Sequence, residues 1–227
     1  MKITVCQMRD DRAGFEADWA GLAKHVASEG SDVVLLPEMP FSAWFCAEPR
    51  FDAEVWNEVV GAHRSWAANI PALGAGTVLW TAPEDLGGRR VNQGVVWTKE
   101  GGTRSVHLKN YLPNEEGFRE STWFQSGDRA FEPFSGAGMS IGFLVCSELW
   151  AMSRAREYGK TGVDVIATPR TTSSGSVEKW IAGGRTASVV SGAFGASSNR
   201  SGKRGGLEFG GCGWVFGPDG EVLGLTS

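Results

Sequence analysis

The chain has 227 residues and a formal net charge of −4 at pH 7, and 41% of its residues are hydrophobic. This length suits one large domain or two fused halves, and 10 Trp residues supply ample apolar surface for a core. The sequence has no basic cluster dense enough to follow a phosphate backbone, which argues against nucleic-acid binding. It has no apolar run long enough to span a bilayer and no stretch organised like a signal peptide, so we expect no membrane association.

The cysteines are few and widely spaced. The chain has four of them, none within a C-x-x-C pair: Cys6, Cys46, Cys146 and Cys212. Such spacing argues against a disulfide framework and against a structural zinc site. We therefore expect free thiols, a cytoplasmic protein and no bound metal.

Predicted strands and helices alternate along the chain. Amphipathic or apolar periodicity predicts helices at residues 15–29, 51–69 and 177–191. Apolar, β-favouring runs predict strands at residues 3–7, 32–36, 75–80, 91–98, 104–109, 131–134, 139–145, 162–168, 193–198, 213–217 and 221–225. Hairpin turns occur beside crossover helices, so the sequence predicts an α/β (or α+β) fold with mixed rather than purely parallel sheets.

The second half of the chain repeats a feature of the first. Residues 162–170 match residues 30–38 in spacing and residue type, and each segment follows a helix and ends in Pro and a charged residue. The repetition predicts two similar halves, residues 1–135 and 136–227, packed about a pseudo-two-fold axis within one domain.

Three reactive side chains lie at the ends of predicted buried strands. They are Glu38, Lys109 and Cys146, and they converge if those strands are neighbours. A carboxylate can take the proton of a thiol, the thiolate can attack an electrophilic carbon, and an ammonium can stabilise the resulting oxyanion. A helix predicted to begin after Cys146 would also favour the thiolate. The alternative is that Cys146 is a structural cysteine at the end of a core strand.

Three sequence blocks around these residues resemble the signature blocks of the nitrilase superfamily of carbon–nitrogen hydrolases. The blocks are Pro37-Glu38, the run 107–118 (HLKNYLPNEEGF) and the run 146–150 (CSELW), in that order. The resemblance implies a four-layer α-β-β-α sandwich with two pseudo-symmetric halves, a Glu38–Lys109–Cys146 catalytic triad and a homo-oligomer. It also implies a second glutamate after the lysine; we assign it to Glu116, which precedes a Gly-aromatic pair, with Glu115 as the rival.

Further side chains are candidates for substrate binding. Trp44, Tyr111 and Trp150 flank the three blocks and could line an apolar pocket, or they could be ordinary core residues. Arg170 occupies the position that echoes Glu38, and it could hold a substrate carboxylate or form a salt bridge with Glu148. His107 lies two residues before Lys109 and is a weaker candidate partner for the cysteine.

The sequence therefore predicts a thiol hydrolase that acts on a small-molecule substrate. The resemblance implies cleavage of a non-peptide C–N bond in an amide or N-carbamoyl compound, with no metal or organic cofactor. A nitrilase is the alternative, because attack on a nitrile uses the same three residues. A catalytically silent binding or assembly module of the same fold is a third possibility.

Overall fold

Two β-sheets form the framework of the fold in a computed structural model that describes residues 1–128 and 130–227. The strands are β1 (Ile3–Val5), β2 (Gln7–Arg9), β3 (Val33–Leu35), β4 (Thr77–Asp85), β5 (Arg90–Thr98), β6 (Gly102–Leu108), β7 (Phe134–Gly136), β8 (Met139–Phe143), β9 (Val165–Arg170), β10 (Phe194–Arg204), β11 (Leu207–Gly210), β12 (Trp214–Phe216) and β13 (Val222–Leu225). The α-helices are α1 (Arg12–Glu29), α2 (Ala53–Trp66), α3 (Glu120–Trp123), α4 (Met152–Lys160) and α5 (Val177–Ser191). Short 3₁₀ helices cover Ala67–Leu73, Cys146–Trp150 and Ser174–Ser176.

Both sheets contain parallel and antiparallel neighbours. The first has the strand order β1-β3-β4-β5-β6, in which the β1–β3 and β3–β4 pairs are parallel and the other pairs are antiparallel. The second has the order β13-β12-β10-β9-β8-β7, and β2 and β11 also pair with β10. Its central β8–β9 and β9–β10 pairs are parallel. The predicted α/β class with mixed sheets is confirmed.

The two sheets face each other, and helices cover their outer faces. Alternation along β3 shows the arrangement, because Val33 and Leu35 pack in one cluster with residues of the second sheet. Val34, between them, packs outward in a second cluster with side chains of α1. On the other side of the molecule, side chains of α4 and α5 pack on the second sheet. This is the four-layer α-β-β-α sandwich that the resemblance implies.

The N-terminal segment joins the two sheets. The sequence predicts one strand at residues 3–7, but the structure divides this region into β1 and β2 on either side of Cys6. Strand β1 pairs with β3 in the first sheet, whereas β2 pairs with β10 in the second. The Cys6 N–H donates to the Ser198 hydroxyl at 2.9 Å at this crossing point. Apart from β2, the first sheet lies within residues 3–108 and the second within residues 134–225.

Local signals set the ends of the helices. The Asp11 carboxylate accepts the Gly14 N–H at the start of α1, and Gly30 ends this helix with a positive φ of 63°. None of the helices in the part of the chain that the structure describes is long and apolar enough to cross a membrane.

Close packing between β8 and α4 gives a stability prediction. A Cβ added at Gly142 would lie 2.6 Å from the ring of Tyr158, so we expect Gly142→Ala to destabilise the protein by about 1–3 kcal/mol through overpacking. Gly21→Ala is the matched control, because Gly21 lies on α1 with open space around it and should gain up to about 1 kcal/mol from helix propensity. Urea denaturation of the three proteins measures both effects, and equal stabilities for the Gly142 variant and the parent would contradict the packing described here.

Candidate active site

Glu38 and Lys109 meet in the interior of the molecule. Glu38 follows β3, and Lys109 directly follows β6. The Lys109 Nζ donates to the Glu38 Oε1 at 2.7 Å, and both side chains are buried from solvent. The Asn92 Nδ2, on β5 between them, donates to the same Glu38 oxygen at 2.9 Å. The predicted convergence of these two strand ends is therefore present.

The second carboxylate that contacts the lysine is Glu120. The Lys109 Nζ donates to both of its carboxylate oxygens at 2.7 Å. Glu116, assigned to this place from the sequence, is exposed at the mouth of a cavity, as is its rival Glu115. The reason is a turn in which Glu115 and Phe118 exchange backbone hydrogen bonds and Gly117 has a φ of 81°. The chain then enters α3, whose first residue reaches the lysine.

One ammonium between two buried carboxylates determines how the group ionises. Burial and the charge of Glu38 raise the pKa of Glu120 to about 8, although Lys109 opposes the shift. Burial disfavours the charged form of Lys109, but Glu120 and Glu38 outweigh it and raise its pKa well above the ordinary value. A proton on Glu120 leaves the three groups with no net charge, which lowers the cost of burying them.

Cys146 lies at the start of a tight turn after β8. Its φ of 46° is unusual for a residue other than glycine, and its thiol faces the Thr171 carbonyl at 3.7 Å. The segment that follows is the short 3₁₀ helix Cys146–Trp150, not the α-helix expected from the sequence. Burial, and then the charge of Glu38, raise the pKa of the thiol against the lowering effect of Lys109. The direction of this shift disfavours a thiolate at rest, whereas the sequence led us to expect a helix that favours one.

Glu38 keeps one oxygen free for that proton. Its Oε2 is buried and has no hydrogen-bond partner among the residues that the structure describes. Its Oε1, by contrast, accepts from Lys109 and Asn92. Buried carboxylate oxygens are normally paired, so an unpaired oxygen whose charge acts on Cys146 is a good candidate proton acceptor.

A cavity of about 790 Å³ opens onto the cysteine, which is within the usual range for a small-molecule site. Its lining includes several residues with hydroxyl groups and several that are apolar or aromatic. Its lining residues are Pro113, Asn114, Glu115, Glu116, Phe118, Glu120, Cys146, Ser147, Trp150, Thr171, Thr172, Ser173, Ser176, Lys179, Trp180 and Leu207. A molecule in this cavity would meet the nucleophile and Glu120 at its inner end.

Of the predicted substrate-binding side chains, Trp150 lines this cavity. Trp44 is buried behind it, where its Nε1 donates to the Gly117 carbonyl at 2.8 Å and supports the loop. Tyr111 is partly exposed and stacks on Phe131 outside the lining. Neither residue contacts the cavity in this structure.

Arg170 lies under the wall of the cavity and does not line it. Its guanidinium donates to the Ser197 hydroxyl and to the Cys212 carbonyl, between the rings of Trp180 and Trp214. Burial lowers its pKa to about 10. Among the described residues Arg170 forms no salt bridge with Glu148, and its guanidinium is engaged by Ser197 and Cys212 instead of lining the cavity where a substrate carboxylate would lie.

His107 and Glu148 form a separate buried pair. The His107 Nε2 lies 2.7 Å from the Glu148 Oε2, and the imidazole stacks on Phe143. The histidine is thus engaged with Glu148 and does not line the cavity, which argues against the weaker Cys–His hypothesis.

Buried polar groups hold the backbone that follows Glu38. Arg200 donates to the carbonyls of Glu38 and Met39 at 3.2 and 2.7 Å, and it forms an ion pair with Asp10 at 2.7 Å. Met39 needs this support, because its φ is 44°. His63 continues the same support, since its Nε2 accepts the Phe41 N–H and its Nδ1 lies 2.8 Å from the Val59 carbonyl.

Comparisons with known proteins identify the family of the chain. A family model described as carbon–nitrogen hydrolase matches residues 2–227. The N-carbamoylputrescine amidase of Arabidopsis thaliana is 22% identical over 219 residues, which are 89% of this chain and 73% of that protein. A nitrilase of Pyrococcus abyssi (strain GE5 / Orsay) is 26% identical over 212 residues, 91% of this chain and 76% of that protein.

Solved structures share the fold over the whole chain. A carbon–nitrogen hydrolase from Helicobacter pylori G27 superimposes with a TM-score of 0.84 at 23% identity, covering 100% of this chain and 84% of that one. An amidase from Nesterenkonia sp. gives a TM-score of 0.81 at 21% identity, covering 100% of this chain and 86% of that one.

The ion cluster gives a stability prediction. Lys109→Met should lower the free energy of unfolding by about 3–5 kcal/mol, because it leaves the buried Glu38 and Glu120 pair without its counter-ion and its hydrogen-bond donor. Lys179→Met is the matched control; this lysine is exposed at the cavity wall, and its loss should stay within about 0.5 kcal/mol. Urea denaturation at pH 8 compares them, and equal losses in the two variants would show that the cluster does not carry the charge described.

His63 gives a prediction for the pH dependence of stability. Burial lowers its pKa to about 4, so the unfolded chain binds a proton below pH 6.5 that the folded chain does not bind. Stability should therefore fall as the pH drops, by about 2 kcal/mol from this residue between pH 7 and pH 5. His63→Gln should remove that part of the slope and His25→Gln, at an exposed site on α1, should keep it. If urea titrations gave the same dependence of the free energy of unfolding on pH for both variants, His63 would not be the source of this slope.

Proposed function

Because the chain belongs to the carbon–nitrogen hydrolase family, we propose that it hydrolyses the C–N bond of a small amide or N-carbamoyl compound through a thioester on Cys146. The family match confirms the resemblance found in the sequence. The observation that carries the proposal is a buried cysteine at the end of a cavity, close enough to Glu38 for the charge of that carboxylate to raise the pKa of the thiol, while one Glu38 oxygen has no hydrogen-bond partner among the described residues.

In the first step, the Cys146 sulfur attacks the carbonyl carbon while the Glu38 Oε2 takes the thiol proton. A C–S bond forms, and the electron pair of the C=O bond moves onto its oxygen. As Glu38 becomes neutral, the Lys109 N–H that it accepted turns to that oxyanion, while the other two N–H groups stay on Glu120; exclusion of water from the site strengthens the interaction. This use of Glu38 as base follows from the raised pKa of the thiol.

In the second step, the tetrahedral intermediate collapses and the C–N bond breaks. Glu38 returns its proton to the leaving ammonia or amine, and the acyl or carbamoyl group stays on sulfur. Water then attacks the thioester, again with Glu38 as the base, and the proton returns to the sulfur as the acid leaves. The cycle needs no redox partner, because its only co-reactant is water.

Glu120 takes the role that the sequence assigned to Glu116. Its two hydrogen bonds hold the Lys109 ammonium in one direction while Glu38 changes its protonation state. Glu120 also lines the cavity, so it can contact a substrate nitrogen as well as the lysine. Trp150 and the Ser and Thr residues of the lining would then contact the part of the substrate beyond the reacting carbonyl group.

Two named relatives define the substrate classes to test. An N-carbamoylputrescine amidase and a nitrilase are similar to this chain over about nine tenths of its length. A nitrile would react at the same thiol and give a thioimidate, so the nitrilase remains the alternative reaction. A cytoplasmic location and a homo-oligomer stay predictions.

Ammonia release from a panel of simple amides, N-carbamoyl amines, N-carbamoyl amino acids and nitriles tests the proposal. We expect the parent to release ammonia from an amide or N-carbamoyl compound, and Cys146→Ala to lower the rate by roughly 10³-fold or more. Glu38→Gln should lose a similar factor, because an amide cannot take the thiol proton. Cys212→Ala, at a cysteine outside the cavity lining, is the matched control and should keep the parent rate.

Other outcomes have defined meanings. Activity confined to nitriles would replace the amidase by the nitrilase. Activity that survives in Cys146→Ala would exclude the thioester. A parent that releases nothing from any class, with Cys146 no more reactive than Cys212 toward iodoacetamide, would favour the silent module.

A further inference from the structure

Glu148 is buried beside the reactive cluster and has no part in the steps above. Its carboxylate is fully shielded from solvent and accepts N–H groups on both oxygens. Its Oε2 lies 2.7 Å from the His107 Nε2 and accepts the Val145 N–H at 2.9 Å. Its Oε1 accepts the Asn110 backbone N–H at 2.7 Å and lies 3.4 Å from the Asn110 side-chain nitrogen.

These partners flank two of the reactive residues. Val145 directly precedes Cys146, and His107 and Asn110 lie on either side of Lys109. One carboxylate thus connects the turn that carries the sulfur with the strand end that carries the ammonium. The Ser147 hydroxyl, which donates to the Tyr111 carbonyl, is a second and more exposed link between the two segments, whereas the Glu148 carboxylate links them in the interior.

The turn at the cysteine needs such support. A non-glycine residue with a φ of 46° costs roughly 1–3 kcal/mol and persists only where its surroundings hold it. Glu148 holds both backbone groups of Val145, the residue before Cys146. The Glu148 N–H donates to the Val145 carbonyl at 3.0 Å, and the Glu148 carboxylate accepts the Val145 N–H. Glu148 therefore holds the backbone directly before Cys146, the residue with the positive φ, and the same side chain also contacts the segment around Lys109.

We propose that Glu148 is a positioning residue that sets the distance and direction between the Cys146 sulfur and the Lys109 ammonium. A carboxylate suits the task because both of its oxygens accept hydrogen bonds. Glutamine has one accepting oxygen, and its NH₂ group would face N–H donors of Val145 and His107 or of Asn110. The proposal rests on the proposed function for its turnover measurement and on thiol chemistry for its second measurement.

The turnover test compares Glu148→Gln with the parent on the best substrate of the panel. We expect kcat to fall by about 10²-fold, the effect of a displacement near 1 Å, while KM stays within about threefold because Glu148 does not line the cavity. His107→Leu removes one partner of the carboxylate and should lower kcat by about tenfold at unchanged KM. It also decides the matter if Glu148→Gln does not fold.

Two controls separate positioning from general stability. Val26→Ala removes apolar contacts in the cluster between α1 and the first sheet, away from the site, and should lower stability while kcat per folded molecule stays within about twofold. Glu157→Gln, at an exposed ion pair on α4, should change neither quantity. A Glu148→Gln variant that folds and keeps the parent kcat would overturn the proposal.

The alkylation rate of Cys146 by iodoacetamide does not depend on any substrate. Misalignment of the lysine should slow alkylation of Cys146 at pH 8 by about tenfold or more in Glu148→Gln, while the rate at Cys212 stays the same. An inactive parent with this change in labelling would reject the proposed function and support the positioning role. If the parent is active and Glu148→Gln changes neither the labelling rate nor kcat, the proposed function is supported and the positioning role is rejected.

Discussion

The ammonium of Lys109, held between two carboxylates in the interior, is the interaction on which the arrangement of the site depends. An unpaired charge at that depth would cost several kcal/mol, so the fold must bring Glu38 and Glu120 to it. The three side chains come from the end of β3, the end of β6 and the start of α3. The long connection between the sheets must therefore turn back on the lysine before the second sheet begins. The exposed turn at Glu115 and Glu116 is a consequence of that path.

Burial of this cluster also determines the chemistry. The same exclusion of water that strengthens the lysine's ion pairs disfavours a thiolate at Cys146, so in the proposed mechanism the thiol loses its proton during the attack. The free oxygen of Glu38 is where that proton can go. A thiol of ordinary acidity at an exposed helix end would not need such a base. The raised pKa of the Cys146 thiol and the unpaired oxygen of Glu38 therefore belong together, because the first creates the need for the base that the second can supply.

Much of this arrangement could be predicted from the sequence, because the ends of buried strands are marked there by the change from an apolar run to a polar or charged residue. The apolar runs before Glu38, Lys109 and Cys146 place all three at strand ends, and the mixed sheets follow from hairpins among crossover helices. Glu120 could not be found in this way, since α3 has only 4 residues and shows no periodicity. The Gly-aromatic signal pointed instead to Glu116. Arg170 was predicted to contact the substrate because it follows an apolar run. It is the last residue of β9, and its side chain packs against Trp214 and does not line the cavity.

The conservation of net charge explains why these residues can work in a dry interior. In the proposed mechanism, burial and the charge of Glu38 favour a proton on Glu120, and before the attack Glu38 is the base that lies beside the Lys109 ammonium. After the proposed attack, Glu38 is neutral, and the negative charge lies on the substrate oxygen beside the same ammonium. The charge moves from one partner of the lysine to another, and no new net charge is buried. A cluster with one charge more or fewer would have to bury an unbalanced charge at both of these stages, at a cost of several kcal/mol. The second glutamate, by taking a proton, keeps the balance that both stages require.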